Sequence, residues 1–142
     1  DGVMIAYASI YGNTKKAAEL LYDKLKAKNV DVIITDLARC DMSKAISDAF
    51  AYGKLVLATP TYNADVFPFM RTFIEGLTER NYQKRTVAFI ENGAWAPMAA
   101  KVMTGMFEKS KELNILDKTV KITCALNDAS VAQIDELAEE LA

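Results

Sequence analysis

The chain is 142 residues long, 51% hydrophobic and 25% charged, the size and balance of one globular domain (1–142) whose core needs neither disulfides nor metals. Its 17 Lys+Arg against 19 Asp+Glu leave a net charge of -2, which argues against a nucleic-acid partner held by counterion release. Histidine is absent, which excludes Ser-His-Asp and Cys-His nucleophiles and every His-containing metal site, and no apolar run reaches the roughly 20 residues of a membrane span.

From the N-terminus, the apolar run Val3–Ala8 predicts a strand, and the stripe Ala17, Ala18, Leu21 and Leu25 predicts the helix after it. Val30–Thr35 is the second strand, and the weaker stripe Ala45, Ile46, Ala49 and Phe50 the second helix. Leu55–Thr59 is the third strand, followed by a helix carrying Met70, Phe73, Ile74 and Leu77. Thr86–Ile90 and Val120–Ala125 complete the strands. The stripes Val102, Met103, Met106, Phe107 and Val131, Ile134, Ala138, Leu141 complete the helices, the Met-rich one reading as core filling. Five strands alternating with five helices predict an α/β fold, a doubly wound parallel sheet with helices on both faces.

Cys40 and Cys124 stand far apart with no C-x-x-C, and read as reduced, buried small hydrophobes in a cytoplasmic protein. The N-terminus shows no secretory signal. A chain starting at Asp1 is what a processed protein, or a domain cut from a longer one, presents.

In a doubly wound sheet the ligand crevice lies beyond the carboxyl ends of the strands, where the strand order reverses. Strand one runs into Ser9-Ile10-Tyr11-Gly12-Asn13-Thr14 and then a helix. Short hydroxyl and amide side chains around a glycine at a helix N-terminus make a phosphate cradle. Neither G-x-x-x-x-G-K-[ST] nor G-x-G-x-x-G is present, so a single terminal phosphate is favoured over a triphosphate or pyrophosphate. Lys15 and Lys16 read as a solvated helix face, and Asp36 as a strand-terminating surface residue. Strand three ends in Thr59-Pro60-Thr61-Tyr62-Asn63-Ala64-Asp65-Val66-Phe67-Pro68, a loop stiffened by proline at both ends. Strand four ends in Glu91-Asn92-Gly93-Ala94-Trp95-Ala96-Pro97, with the only Trp set among small residues and Pro97 placed to open a helix. Two aromatic loops with accessible backbone suit a planar heterocycle.

This combination resembles the flavodoxin family over the whole chain. Ser9, Gly12 and Thr14 match the family's [ST]-x-[ST]-G-x-T, while Tyr11 departs from it. Pro60–Asn63 and Glu91–Pro97 look most like the flavodoxin-like domain of flavodiiron proteins, in which an aromatic residue is familiar at the position of Tyr11. The resemblance implies strand order 2-1-3-4-5 and bound FMN. Ser9, Ile10, Tyr11, Gly12, Asn13 and Thr14 would hold the phosphate. Pro60, Thr61, Tyr62 and Asn63 would line one side of the isoalloxazine, and Asn92, Gly93, Ala94 and Trp95 the other side and the pyrimidine edge. The interval Thr119–Asn127 leaves no room for the insertion that splits the last strand of long-chain members.

The resemblance further implies electron transfer between redox protein partners, with a donor such as a rubredoxin or flavin reductase. The acceptor would be a diiron domain that this His-free chain does not itself carry, making it an electron-transfer module rather than a complete catalyst. Glu91 and Asp65 would place negative charge near the flavin and lower its potential. A stand-alone NAD(P)H:quinone or flavin reductase is the alternative. A phosphoacceptor signalling domain is disfavoured, because Ser9, Thr59 and Cys124–Ala125 stand where its acids and Lys belong. Arg71, Arg80, Lys84 and Arg85 read as ordinary surface cations.

Overall fold

A computed structural model describes residues 2–8, 12–62, 65–66, 68–92, 99–116, 119–122 and 126–142, with backbone alone at 61, 62, 65 and 66. The elements in chain order are β1 (Val3–Tyr7), α1 (Asn13–Ala27), β2 (Val32–Asp36), α2 (Met42–Ala51), β3 (Lys54–Tyr62), β4 (Asp65–Val66), α3 (Pro68–Glu79), β5 (Thr86–Asn92), α4 (Ala99–Met106), β6 (Asn114–Ile115), β7 (Val120–Ile122) and α5 (Asp128–Leu141). The sheet runs β2-β1-β3-β5, with β6 and β7 sharing the far edge; every pair is parallel except the short β3–β4 hairpin. Counting β6 and β7 as two pieces of one strand, the order is the expected 2-1-3-4-5.

Side chains alternate across a strand, so each strand divides its residues between two cores. Met4, Ala6, Leu55, Leu57, Val87 and Phe89 face α2, α3 and α4, meeting Ala45, Phe73, Ile74, Leu77 and Met103. Val3, Ile5, Tyr7, Val56, Ala58, Ala88 and Ile90 face the other way, against Leu21 and Leu25 of α1 and Ile134, Ala138 and Leu141 of α5. The stripes of α1 and α3 are buried residue for residue as the spacing predicts. On α4 the buried set is Ala99, Ala100 and Met103, while Val102 and Met106 are half-buried and Phe107 lies just past the helix. On α5 Val131 is half-buried and Leu137 joins the stripe.

Strand two starts at Val32 rather than Val30, because α1 ends in a left-handed Asn29 (φ 61) whose successor is still tied to the helix. Val30 N donates to Leu25 O at 3.1 Å and Asn29 N to Lys26 O at 3.0 Å, a Schellman closure. Asn81 (φ 58) ends α3 the same way, with Tyr82 N donating to Leu77 O.

Strand three runs beyond Thr59 to Tyr62, so Pro60 is a strand residue and not the start of a loop. Among the described residues the last bond from β1 to β3 is Ala8 N to Ala58 O at 3.0 Å, so Pro60, which has no N–H to give, comes where that ladder ends. Pro68 is the first residue of α3, where a missing N–H is harmless.

The edge strand is broken, though not by an insertion after Thr119. Val87 pairs with Ile115 but Ile90 with Val120, so three steps along β5 match five along the edge. The register of the edge therefore shifts by two residues between β6 and β7.

Candidate functional site

The strand order reverses between β1 and β3, and among the described residues Gly12, Thr14, Pro60 and Asn92 stand at that point. Gly12 caps α1 with φ 88 and ψ -14, and its carbonyl accepts from Lys16 N at 2.9 Å. A Cβ built on Gly12 would meet no atom within 4 Å, so the backbone angle, not crowding, demands glycine, and the space before it is open. Among the described residues no side chain caps α1, and no acid sits in its first turn.

Thr14, 1% exposed, points from this turn toward the sheet. Its Oγ1 accepts from Asn92 Nδ2 at 3.4 Å, and Asn92 is in register with Pro60 at the end of β3. One hydrogen bond and one register step therefore join the first, second and third loops. Because Thr14 accepts from Asn92, its own hydroxyl proton is not used in that bond.

The neighbouring Glu91 faces the opposite layer, as the alternation along β5 requires. It is 3% exposed, and its Oε1 accepts from the backbone N–H of Ala100 at 3.0 Å, in the first turn of α4. Thr59, fully buried, donates its hydroxyl to Pro60 O at 3.2 Å.

Lys15 and Lys16 are exposed, as a solvated face requires. Asp36 terminates β2: its Oδ1 accepts from Ala38 N at 3.0 Å, and its Oδ2 lies 3.7 Å from Arg39 Nε. The Tyr7 hydroxyl also donates to Asp36; burial above all, then the charges of Asp36 and Glu19, hold its pKa above the ordinary value. Asp36 is thus a turn-forming residue. Cys40 is a free, half-buried thiol packed against the α2/α3/α4 core, its pKa raised chiefly by burial. Arg85 is structural: its guanidinium donates to Phe50 O at 2.8 Å and Tyr52 O at 3.0 Å, closing the C-terminal end of α2. Ser9, Ile10, Tyr11, Asn63, Gly93, Ala94, Trp95, Pro97 and Cys124 lie outside the described residues, and Thr61, Tyr62 and Asp65 are described for their backbone only.

Sequence reasoning treated Glu91 only as loop charge, although its phase with Val87 and Phe89 was a signal that it faces α4. A groove of about 370 Å³ between β7 and α5 is lined by Lys121, Gln133, Glu136 and Glu140. It opens on the outer edge of the sheet, where its two carboxylates would repel a phosphate. Among the described residues no His, Cys or acidic cluster is placed to hold a metal, and no helix is long and apolar enough to cross a membrane.

A doubly wound parallel sheet of this strand order, with helices on both faces, is the flavodoxin-like fold. The flavodoxin family pattern matches residues 5–137, and the chain belongs to that family, whose members bind FMN. It is 30% identical over 142 residues to an uncharacterised protein of Methanocaldococcus jannaschii, covering 98% of this chain and 36% of that one. The fold also matches the rubredoxin oxygen:oxidoreductase of Desulfovibrio gigas at a TM-score of 0.91 and 18% identity, covering 99% of this chain and 35% of that one. A flavodoxin from the domain Archaea superposes at 0.86 and 19% identity, covering 100% of this chain and 96% of that one. The chain thus spans little more than a third of the first two proteins and nearly all of the third.

The donors present fit FMN. A phosphomonoester needs hydroxyl and amide donors in an open, electropositive concavity. Gly12 with open space before it, an α1 dipole end without an acid, and the Thr14 hydroxyl supply one.

Proposed function

We propose that this domain carries electrons between protein partners through FMN held at the switch point. Ser9–Thr14 receive the phosphate, Pro60–Asn63 flank one side of the ring, and Asn92–Trp95 flank the other side and the pyrimidine edge. The observation that supports this best is the Asn92–Thr14 hydrogen bond, because it ties the phosphate loop to the strand end that leads into Gly93–Trp95. When bound, FMN supplies one-electron redox chemistry. The chain's own part is to anchor the phosphate at the α1 N-terminus and orient the Thr14 proton toward it. The ring-flanking loops shield one end of the ring from water.

The finer reading takes a rubredoxin or a flavin reductase as donor and a diiron domain as acceptor, in a cytoplasmic setting. It is supported by the likeness in fold to a protein named for rubredoxin and oxygen, and to the flavodiiron protein of Giardia intestinalis at a TM-score of 0.90 and 15% identity.

Titrating the apoprotein with FMN and with riboflavin, followed by quenching of flavin fluorescence, tests the site. FMN is expected to bind at least tenfold more tightly, since only it carries the phosphate. Equal affinity, or none for either, would overturn the assignment. Rapid NAD(P)H oxidation by the loaded domain alone would favour the reductase alternative instead.

A further inference from the structure

Glu91 has a role that none of the motifs assigns to it. It stands one residue before the Asn92 that reaches Thr14, yet points into the opposite layer. Its carboxyl group is 3% exposed and 3.0 Å from the Ala100 amide, a contact between residues nine apart in sequence. That amide belongs to the first turn of α4, where backbone N–H groups have no partner within the helix. Both anchors are rigid. Glu91 is paired with Thr59 in the sheet centre, and α4 is seated in the core through Ala99, Ala100 and Met103. This buried hydrogen bond therefore ties the end of β5 to the start of α4.

We propose that Glu91 is a positioning residue for the cofactor crevice: by clamping the end of β5 to the start of α4, it holds in place the strand end from which Asn92 reaches Thr14. This rests on the placement of FMN given above. Glu91 does not touch the cofactor. It fixes the crevice end of β5 before a ligand arrives, the physical basis of preorganisation. Removing the carboxyl group also leaves the buried Ala100 N–H unsatisfied, which loosens the first turn of α4.

The test compares wild type with Glu91→Ala, Glu91→Asp and Glu91→Gln, measuring FMN affinity by fluorescence titration and hydrogen exchange at the Ala100 amide in the apoprotein. Glu91→Asp is one methylene shorter and keeps a buried acid, so it serves should the Ala variant fail to fold. The Ala and Asp variants are expected to bind FMN about tenfold more weakly and to exchange the Ala100 amide at least tenfold faster. Glu91→Gln is expected to restore both to within about threefold of wild type, because its Oε1 accepts the same N–H. Folded Ala and Asp variants that bind FMN as wild type does would overturn the proposal. So would a Gln variant as weak as Ala, which would mean that charge and not the clamp matters. If wild type itself ignores FMN, the cofactor placement fails and the positioning role with it. Exchange at Ala100 separates that case, showing whether the clamp exists at all.

Discussion

Helices α1 and α5 lie side by side on one face of the sheet, both starting at the carboxyl ends of strands, yet they start differently. Helix α5 is finished by its own side chains: Asn127 Oδ1 accepts from Ser130 N at 2.9 Å, and Ser130 Oγ accepts from Asn127 N at 2.9 Å. Helix α1 starts from a left-handed glycine with no side-chain cap, and its one buried hydroxyl there, Thr14, is turned toward the end of β5. A reciprocal cap adds stability at a helix start, and among the described residues α1 has none. The difference between the two starts separates stability from function within one layer.

Substituting Thr14 by Val should break that separation most clearly. A hydrogen bond to a charged group contributes roughly 1.5–3 kcal/mol, so FMN affinity is expected to fall about 10- to 100-fold. The apoprotein should lose less stability, since Val keeps the shape of Thr14 and gives up only the 3.4 Å bond from Asn92. A calorimetric scan beside an FMN titration reads both; equal losses would show that Thr14 is structural only.

Gly12→Ala should act on both quantities. The left-handed angle at this position costs an L-residue roughly 1–2 kcal/mol, and open space around the new methyl means that the cost is backbone strain, not a clash. Denaturant unfolding of the apoprotein should show that loss. Asn127→Ala is the mirror experiment: a loss of about 1 kcal/mol in the same assay, with FMN affinity unchanged. A weakened affinity for FMN in Asn127→Ala would erase the distinction between the two helix starts.

Much of this frame was legible in the sequence because it follows from period. The stripes of α1 and α3, and the runs of β1, β3 and β5, are repetitive apolar patterns, and buried elements leave strong ones. The two-residue strands β4 and β6 were not legible, since Asp65-Val66 and Asn114-Ile115 are too short to show alternation. Their pairing depends on neighbours distant in sequence. Of the candidate site, the convergence of Thr14, Pro60 and Asn92 was foreseeable from the switch-point rule. The bond from the Asn92 amide to Thr14 was not legible, because it joins side chains 78 positions apart. Glu91 escaped notice because an acid at a strand end reads as surface. Only the strand's phase, carried past the apolar run, shows that it points inward.

The smallest expected effect concerns a polar group that serves neither purpose. The Tyr82 hydroxyl is buried with no hydrogen-bond partner among the described residues, while its ring packs edge-on against Phe50 at 5.2 Å and lies beneath Arg85. Unlike the Thr14 hydroxyl it lies at the amino-terminal end of the sheet, beyond α3 and before β5, remote from the crevice. If unfinished polar groups are retained for function only at the switch point, Tyr82→Phe should cost nothing and raise stability by roughly 0.5–1 kcal/mol at neutral pH, because an unpaired buried hydroxyl is a desolvation penalty. The pH dependence sharpens the point. Burial holds the Tyr82 phenol well above its ordinary pKa, so the folded state keeps the proton that the unfolded state releases near pH 10. The stability tied to that proton is complete below about pH 10 and drains away as pH rises toward the folded-state pKa. Tyr7 and Tyr52, also raised by burial, make part of the same decline in both proteins. Urea unfolding from pH 7 to 11 should therefore show the Phe variant slightly ahead at pH 7 and further ahead above pH 10. A variant less stable than wild type at neutral pH would mean that the hydroxyl does have a partner, and that this end of the sheet holds a site of its own.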